Sequence, residues 1–476
     1  MSEPVAEAPL SQRRFLPATI VACAFFMEML DSTAIITALP AIAHSLDAPL
    51  LQLTLGLTIY MVGLVVFTPA SGWAAERWGA RRVFAFAMGL FVVASALCGL
   101  SQDLWQFVGA RLLQGVAASM MSPVGRLVVL RTTPKRDLVQ AINFMTAPGL
   151  IGLVLGPAVG GFIATYADWR WIFLLNLPIG IAGVFLVFRW LPSLPPLHRR
   201  AFDWFGFALN GVAMVMLVWG LDLIGGQGDW RIGALTSVGG LAVGAFSVLR
   251  ALRIEHPLVD LSPFRLATYR VTCLSAGSFF RFALAGPALA IPLLLQVGMG
   301  MSAFLAGMLL FVNAGADLLI KSVTTRIVRG IGFRSLLVAS SLMYALGLAA
   351  CLFFTRETSI VVVILALIVM GVARSLQMTG QNSLQFADVP EDRLAAASTL
   401  SAISQHVVRA IGLAMAAAAI NLAVYMRDGA QGVMAIMDIR WAFGLAIAAT
   451  LIGATIYTGL DRRTAEHVSG HVPFKA

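Results

Sequence analysis

The chain has 476 residues, of which 59% are hydrophobic and only 12% are charged. Ordinary globular domains carry roughly 25% charged residues, so this composition excludes a typical water-soluble enzyme or binding module and indicates a chain that lies mostly in lipid. The formal net charge of +10 is common in nucleic-acid-binding proteins. Here the basic residues are distributed as in a membrane protein, so no nucleic-acid partner is expected.

Fourteen apolar stretches follow one another along the chain, each close to the roughly 20 residues that cross a bilayer. They predict an all-α membrane protein with 14 transmembrane helices. The first stretch contains Glu28 and Asp31, which a signal peptide would not, and therefore predicts an uncleaved helix. The spans lie at roughly 15–36, 50–71, 83–101, 104–129, 139–165, 171–191, 205–224, 233–251, 270–296, 303–323, 334–354, 359–382, 395–424 and 440–460.

The basic residues predict the orientation of these spans. Most of the 33 Lys and Arg fall in loops on the side of the N-terminus. Loops on the opposite side contain five arginines: Arg170, Arg231, Arg356, Arg427 and Arg440. Because positive residues accumulate on the cytoplasmic side, both termini are expected in the cytoplasm.

The spans group as six, two and six. We expect an N-terminal six-helix half over 1–200, an extra two-helix hairpin over 201–262 and a C-terminal six-helix half over 263–476. Gly332-Phe333-Arg334, between spans ten and eleven, repeats the pattern of Gly79-Ala80-Arg81 between spans two and three. Such weak internal symmetry is expected of transporters built from two parallel halves.

No group of residues has the spacing of an enzyme's active site or of a metal site. The four cysteines all lie inside predicted spans, which indicates packing rather than a disulfide or metal framework: Cys23, Cys98, Cys273 and Cys351. A membrane enzyme and a non-transporting sensor are therefore disfavoured alternatives. No cofactor is expected, and the absence of a Walker-type phosphate loop argues against ATP as the energy source.

The segment between spans two and three combines glycines, one acid and three arginines. Its motif residues are Gly72, Glu76, Arg77, Gly79, Arg81 and Arg82. We expect a cytoplasmic loop over 72–82. The glycine spacing closely resembles the signature loop of the major facilitator superfamily, which latches two helices through a carboxylate–arginine pair and a carboxylate at a helix N-terminus. That loop usually has aspartate where this chain has Glu76, so the resemblance implies a looser latch.

Three further motifs extend the resemblance over essentially the whole chain. Span one ends with Asp31-Ser32-Thr33 and Ala38-Leu39-Pro40, and span four contains Arg111-Leu112-Leu113-Gln114-Gly115. Span five contains the glycine-proline motif of Gly152, Gly156, Pro157, Gly160 and Gly161. Together the motifs are similar to those of the fourteen-span drug/proton antiporters of the major facilitator superfamily.

The resemblance implies a bacterial inner-membrane exporter with the major facilitator fold. It would exchange hydrophobic or amphipathic drugs for external protons by rocking its two halves around a central site. In this family the glycine-proline motif belongs to exporters and helps to seal the path against proton leak, which favours antiport. The resemblance also admits a periplasmic adaptor protein as a partner, although no segment of the chain identifies one.

Charged residues inside spans are the first candidates for function, because each costs at least about 2.5–3.5 kcal/mol at mid-bilayer. Glu28 and Asp31 share one face of span one, and two close carboxylates favour retention of one proton. By resemblance, Arg111 lies near the proton path and favours the charged form of a neighbouring carboxylate. The alternative is a fixed structural ion pair. Which carboxylate carries the proton is left open.

The second half contains an excess of buried cations. Arg281, Arg374 and Arg409, with His406, fall in predicted spans, beside Asp317 as the clear intramembrane acid. This excess indicates a cavity for an anionic group and thus export of a small organic anion or metabolite as the alternative function. The arginines could instead pair with Asp317, helix C-termini or lipid phosphates. The candidate substrate-binding residues are Gln114, Arg281, Asn313, Asp317, Arg374, Gln377 and Gln381.

Overall fold

A computed structural model describes residues 15–48, 50–193, 201–225, 229–255, 257–428, 435–461 and 464–469. Within these ranges the regular secondary structure is entirely helical, which confirms the predicted all-α class. Thirteen stretches are long and apolar enough to cross a membrane. The one at Leu305–Leu352 has 48 residues, which at 1.5 Å per residue is more than twice the roughly 30 Å hydrocarbon core, so it supplies two crossings.

The long helices follow the predicted spans in order. Those of the first half are α1 (Leu16–Ser45), α2 (Leu50–Trp78), α3 (Ala80–Leu100), α4 (Leu104–Thr132), α5 (Leu138–Tyr166) and α6 (Asn176–Trp190). Next come α7 (Trp204–Gly225) and α8 (Trp230–Ala251). The remainder are α9 (Ala267–Cys273), α10 (Ala276–Leu293), α11 (Ala303–Leu352), α12 (Ile360–Ala387), α13 (Leu394–Asp428) and α14 (Ile436–Thr458).

The chain divides into two compact units. The first comprises Met1–Phe67 and Ser71–Arg199, and the second comprises Thr68–Ala70 and Arg200–Ala476. The boundary between the units thus falls after Arg199. The α7–α8 hairpin is grouped with the second unit, where α7 packs against α13.

The sequence had predicted a loop over 72–82, and this prediction is wrong, because the segment is almost entirely helical. Helix α2 continues to Trp78 and α3 begins at Ala80, so Gly79 alone separates them. Gly79 has φ 88°, a value that favours glycine. Its N–H still donates to the Ala75 carbonyl at 3.0 Å. The polar residues of the motif therefore lie at the ends of two helices. Backbone hydrogen bonds within each helix continue up to the single glycine that separates them.

The second unit repeats this construction inside α11. Gly332 has φ 73° and ψ 168°, and it interrupts an otherwise helical run. It occupies the position that corresponds to Gly79, as the sequence echo indicated. In both units a single glycine with positive φ turns one membrane crossing into the next, which a residue with a Cβ would do only under strain.

The hairpin is held at one end by an ion pair. Arg250 near the end of α8 donates from both terminal nitrogens to the Asp203 carboxylate, each at 2.8 Å. Burial raises the pKa of Asp203, but the hydrogen bonds from Arg250 and from the Gly206 N–H outweigh it, so this pKa lies below its ordinary value. Two parallel bonds of this kind fix direction as well as distance. They connect the segment before α7 to the end of α8.

Close packing of α5 against α1 depends on glycine. A Cβ on Gly152 would lie 2.5 Å from the Phe26 carbonyl oxygen, and a Cβ on Gly160 would collide with the Ala34 carbonyl. Gly156 likewise has no room for a side chain beside Thr33. These three glycines therefore let the two backbones touch. Gly161 differs, because a Cβ there would meet no atom within 4 Å.

The neighbouring pair Gly160 and Gly161 allows a matched test of this packing. Gly160→Ala should destabilise the protein by about 1–3 kcal/mol, because the new methyl meets backbone that cannot rotate away. Gly161→Ala should be neutral or stabilise by up to about 1 kcal/mol through helix propensity. Thermal unfolding of the detergent-purified variants measures both. Equal unfolding midpoints would contradict the proposed contact.

Candidate functional site

A buried carboxylate lies at the centre of the first unit. Asp31 on α1 is 1% exposed and forms an ion pair with Arg111 on α4, with Nη1 and Oδ2 2.7 Å apart. Its other oxygen, Oδ1, accepts from Gln114 Nε2 at 2.9 Å and from Asn176 Nδ2 at 3.0 Å. Three donors from α4 and α6 thus converge on one carboxylate from α1. Such a set stabilises the charged form of the group.

The arginine of this pair is equally enclosed. Arg111 is 1% exposed, and its Nη1 also donates to Gln114 Oε1 at 2.5 Å. The guanidinium carbon lies 4.4 Å from the ring centre of Tyr60 on α2. A cation over an aromatic face gains about 2 kcal/mol when desolvated. Charge, amide and ring therefore together hold Arg111 in an environment without water.

Aromatic residues close one side of the network. The rings of Phe107, Trp169 and Phe173 meet edge to face, with centroids 5.8 to 6.1 Å apart. Phe173 also lies 6.0 Å from the Arg111 guanidinium. Aromatic side chains of this size exclude water well. The segment from Trp169 to Phe173 therefore lies beside the ion pair.

Glu28 has a separate environment from Asp31, although both lie on α1. Ser122 Oγ on α4 donates to Glu28 Oε2 at 2.6 Å, and Glu28 is buried. The hydrogen bonds from α4 thus reach the two carboxylates from positions roughly two to three helical turns apart, Ser122 for Glu28 and Arg111 with Gln114 for Asp31.

The structure brings together Asp31, Arg111 and Gln114 as one network. Gln114, expected to bind substrate, uses both ends of its amide inside the network, where Nε2 also donates to Ser95 Oγ at 2.8 Å. Sequence reasoning missed Ser95 and Asn176 as members. The available signal for Asn176 was its position as a polar residue, followed by Leu177 and Pro178, within the apolar span six. Ser95 carried none, because one serine in an apolar span is common.

The basic motif at the α2–α3 junction lies apart from this network. Arg81 donates to the Phe188 carbonyl near the end of α6, and its guanidinium lies 5.6 Å from the Phe188 ring centre. Arg77 lies 5.6 Å from the Trp73 ring centre. Arg82 is exposed. The motif thus ties the start of α3 to the end of α6, while the carboxylate latch implied by the family remains a prediction.

In the second unit, Asp317 pairs with Arg374. Arg374 Nη2 and Nε both lie 2.9 Å from Asp317 Oδ2, which joins α11 to α12. Lys321, one turn further along α11, approaches Asp317 Oδ1 at 3.9 Å. Asn313 instead donates to the Leu367 carbonyl at 2.7 Å. Asp317 therefore pairs with a side chain of α12, whereas Asn313 binds the backbone of that helix.

The glutamines of α12 reach different neighbours. Gln377 lies 2.5 Å from Ser340 Oγ on α11, and Gln381 donates to the Thr272 carbonyl of α9 at 2.9 Å. Gln385, one turn further, accepts from Arg281 at 3.0 Å. All three glutamines are fully buried. Spaced three or four residues apart, Arg374, Gln377, Gln381 and Gln385 share one face of α12.

The described residues contain no group of three or more His, Cys, Asp or Glu side chains that could hold a metal ion. The four cysteines are unpaired, and Cys98, Cys273 and Cys351 are buried as packing residues. Arg409, expected near the other cations, is exposed.

Comparisons with known proteins agree with this arrangement. The sequence profile of the Major Facilitator Superfamily matches residues 21–413. A protein of Serratia proteamaculans (strain 568), provisionally named multidrug resistance protein MdtD, is 35% identical over 402 residues, which cover 83% of each chain. The MdtD of Escherichia coli O139:H28 is 35% identical over 410 residues, covering 85% of each chain.

Solved structures share the fold at low identity. The human organic anion transporter MFSD10 (TETRAN) superposes with a TM-score of 0.65 at 15% identity, covering 94% of this chain and 100% of that one. The proton:xylose symporter XylE, bound to 6-bromo-6-deoxy-D-glucose, gives a TM-score of 0.63 at 13% identity, covering 93% and 95%. At these identities the likeness concerns the fold alone.

The Asp31–Arg111 pair makes a testable contribution to stability. Asp31→Asn should destabilise the protein by about 3–5 kcal/mol, because it leaves the Arg111 charge buried without its partner. Adding Arg111→Gln should restore most of the loss, since the pair is then neutral. Thermal unfolding of the wild type, both single variants and the double variant measures the coupling. A double variant less stable than either single variant would contradict it.

Proposed function

Because this chain belongs to the major facilitator superfamily, we propose that it is a proton-coupled secondary exporter of hydrophobic or amphipathic drugs. Membership makes it a multi-pass membrane transporter and not an enzyme. Proton coupling, drug export, the bacterial inner membrane and cytoplasmic termini belong to the proposal. The drug class is supported by the multidrug-resistance name of relatives that are 35% identical to this chain.

The observation that carries proton coupling is the set of bonds around Asp31. A proton on this carboxylate would cancel its attraction to Arg111 and turn one of its acceptor oxygens into a donor. The bonds from Gln114 and Asn176 would weaken at the same step. Protonation would therefore loosen α1 from both α4 and α6. A proton-coupled transporter needs this link between a protonation event and helix packing.

Burial sets a condition on the exchange of that proton. Asp31 and Arg111 are both 1% exposed. A proton from the solvent therefore reaches Asp31 only after the protein changes to a different conformation. Proton entry would thus be tied to a conformational step, which prevents an open leak. The close α1–α5 packing through Gly152, Gly156 and Gly160 supports the same conclusion, because the helix with Asp31 is sealed along that side.

Glu28 is the second candidate for the coupled proton. It lies one turn from Asp31 and accepts from Ser122 at 2.6 Å. Export of a small organic anion or metabolite is the alternative substrate class. It is favoured by Arg281, a buried arginine that pairs with no carboxylate among the described residues. Both alternatives are separable by experiment.

Proton movement in inside-out vesicles tests the function. Ethidium or tetraphenylphosphonium added to acid-loaded vesicles should cause proton release, reported by a pH-sensitive dye, because the exporter exchanges the added cation for an internal proton. Asp31→Asn should reduce this release at least tenfold, since the carboxylate no longer titrates. Immunoblots should show equal amounts of each variant in the membrane.

Two comparisons assign the result. Glu28→Gln should retain substrate-dependent release if Asp31 carries the proton, and Asp260→Asn, which changes a carboxylate outside the spans, should behave as the wild type. Loss in Glu28→Gln together with normal release in Asp31→Asn would reassign coupling to Glu28. A correctly inserted wild-type protein that releases no protons with any substrate would refute proton antiport.

A further inference from the structure

Arg281 has unusual surroundings for a charge inside a membrane span. It lies near the middle of span nine, on α10, and is 5% exposed. Two other arginines inside spans have aspartate partners: the buried Arg111 pairs with Asp31, and the partly exposed Arg374 pairs with Asp317. Among the described residues, no carboxylate forms an ion pair with Arg281. A mid-bilayer arginine costs at least about 2.5–3.5 kcal/mol on insertion scales, so its retention calls for a compensating anion.

A break in span nine explains part of the environment. Helix α9 ends at Cys273 and α10 begins at Ala276, so the span is discontinuous. Arg281 Nη1 and Gln381 Nε2 both donate to the Thr272 carbonyl at 2.9 Å, which caps the end of α9. Gly277 permits this geometry, because a Cβ there would collide with the same carbonyl and with Gln381. Broken helices line substrate sites in many transporters.

Capping does not account for all of the donors at this position. Arg281 Nε is buried without an acceptor among the described residues, and the buried Gln385 Nε2 has only the Tyr269 hydroxyl oxygen beside it. The Gln385 oxygen accepts from Arg281 Nη2 at 3.0 Å, so its amide nitrogen is the group left to donate. Tyr457 of α14 interacts electrostatically with Arg281, and its buried hydroxyl oxygen lies beside the Gln377 amide, which leaves its O–H free to donate. A seven-residue helix end supplies at most about half a negative charge.

We propose that Arg281, Gln385 and Tyr457 form an anion subsite that binds the carboxylate of a small amphipathic molecule. Guanidinium, amide N–H and phenolic O–H are all donors, and a carboxylate is the planar acceptor that suits an arginine fork. Gln381 Oε1 is a buried acceptor without a partner in the same cluster, and it suits a hydroxyl beside the carboxylate. This inference rests on the proposed transport function and specifies a substrate class for it.

A carboxylate introduced into the protein itself should compete with an external anion for Arg281. Gln385→Glu would place a carboxylate at the position that now bonds to Arg281 Nη2. The protein would then neutralise Arg281 internally, and an external anion would lose its binding partner. The variant should fold at least as well as the wild type, because it supplies the missing charge. Arg281→Gln, by contrast, removes the partner itself, and Arg281→Lys keeps the charge but loses the planar fork.

Equilibrium binding of radiolabelled mandelate to the full-length protein tests the subsite. The protein is placed in nanodiscs of phosphatidylcholine alone, so that no anionic lipid headgroup competes. Mandelate carries a carboxylate, an adjacent hydroxyl and an aromatic ring, and mandelamide is its neutral analogue. Wild-type protein should bind mandelate at least tenfold more tightly than mandelamide. Arg281→Gln and Gln385→Glu should each weaken mandelate binding at least tenfold, with Arg281→Lys intermediate.

Arg393→Gln, in the exposed turn before α13, is the control and should bind as the wild type. Equal mandelate binding by the wild type and Gln385→Glu would overturn the subsite. So would the absence of binding by the wild type at millimolar mandelate in tenfold excess over the protein. The same preparations are assayed for ethidium-driven proton release. Arg281-dependent binding without any proton release would leave the subsite standing and refute proton coupling. Proton release together with mandelate binding that does not depend on Arg281 would support proton coupling and refute the subsite.

Discussion

The cost of a charge in the bilayer is the constraint on which this structure depends. Asp31 and Arg111 are both buried in the first unit, and neither would be tolerated there without the other. Their 2.7 Å contact is supported by Gln114 and Asn176, so α1, α4 and α6 meet at one point. A single proton on Asp31 would alter all of these bonds together. The interaction that stabilises the unit is thus also the one best suited to respond to protons.

The same constraint distinguishes the arginines that lie inside spans of the two units. Arg111 and Arg374 each form an ion pair with an aspartate, so their charges are neutralised within the protein. Arg281 has a backbone carbonyl and an amide instead, with its Nε left over. An ion pair satisfied inside the fold contributes to packing or responds to protons. A buried cation without an ion-pair partner is available to bind an anionic ligand. This distinguishes Arg281 from Arg374.

Backbone freedom at a few glycines places these groups. Gly79 and Gly332 each reverse the chain between two crossings with a positive φ. Gly160 lets α5 touch the backbone of α1 beside the segment that contains Asp31. Gly277 allows the break in span nine to close around the Thr272 carbonyl. In each case the missing Cβ permits an approach or a turn that another residue would prevent.

The sequence alone determined the helical class, the spans and their family, because hydrophobic length and local motifs are properties of neighbouring residues. It also identified Asp31, Arg111 and Arg281 as costly charges. It did not show that 72–78 is helical, since polar residues at a helix end resemble a loop. Nor did it show that Asn176 binds Asp31, 145 residues away, or that Arg374 pairs with Asp317 while Arg281 does not. Those outcomes were decided by the tertiary structure, because hydrogen bonds and ion pairs depend on which helix faces meet in space.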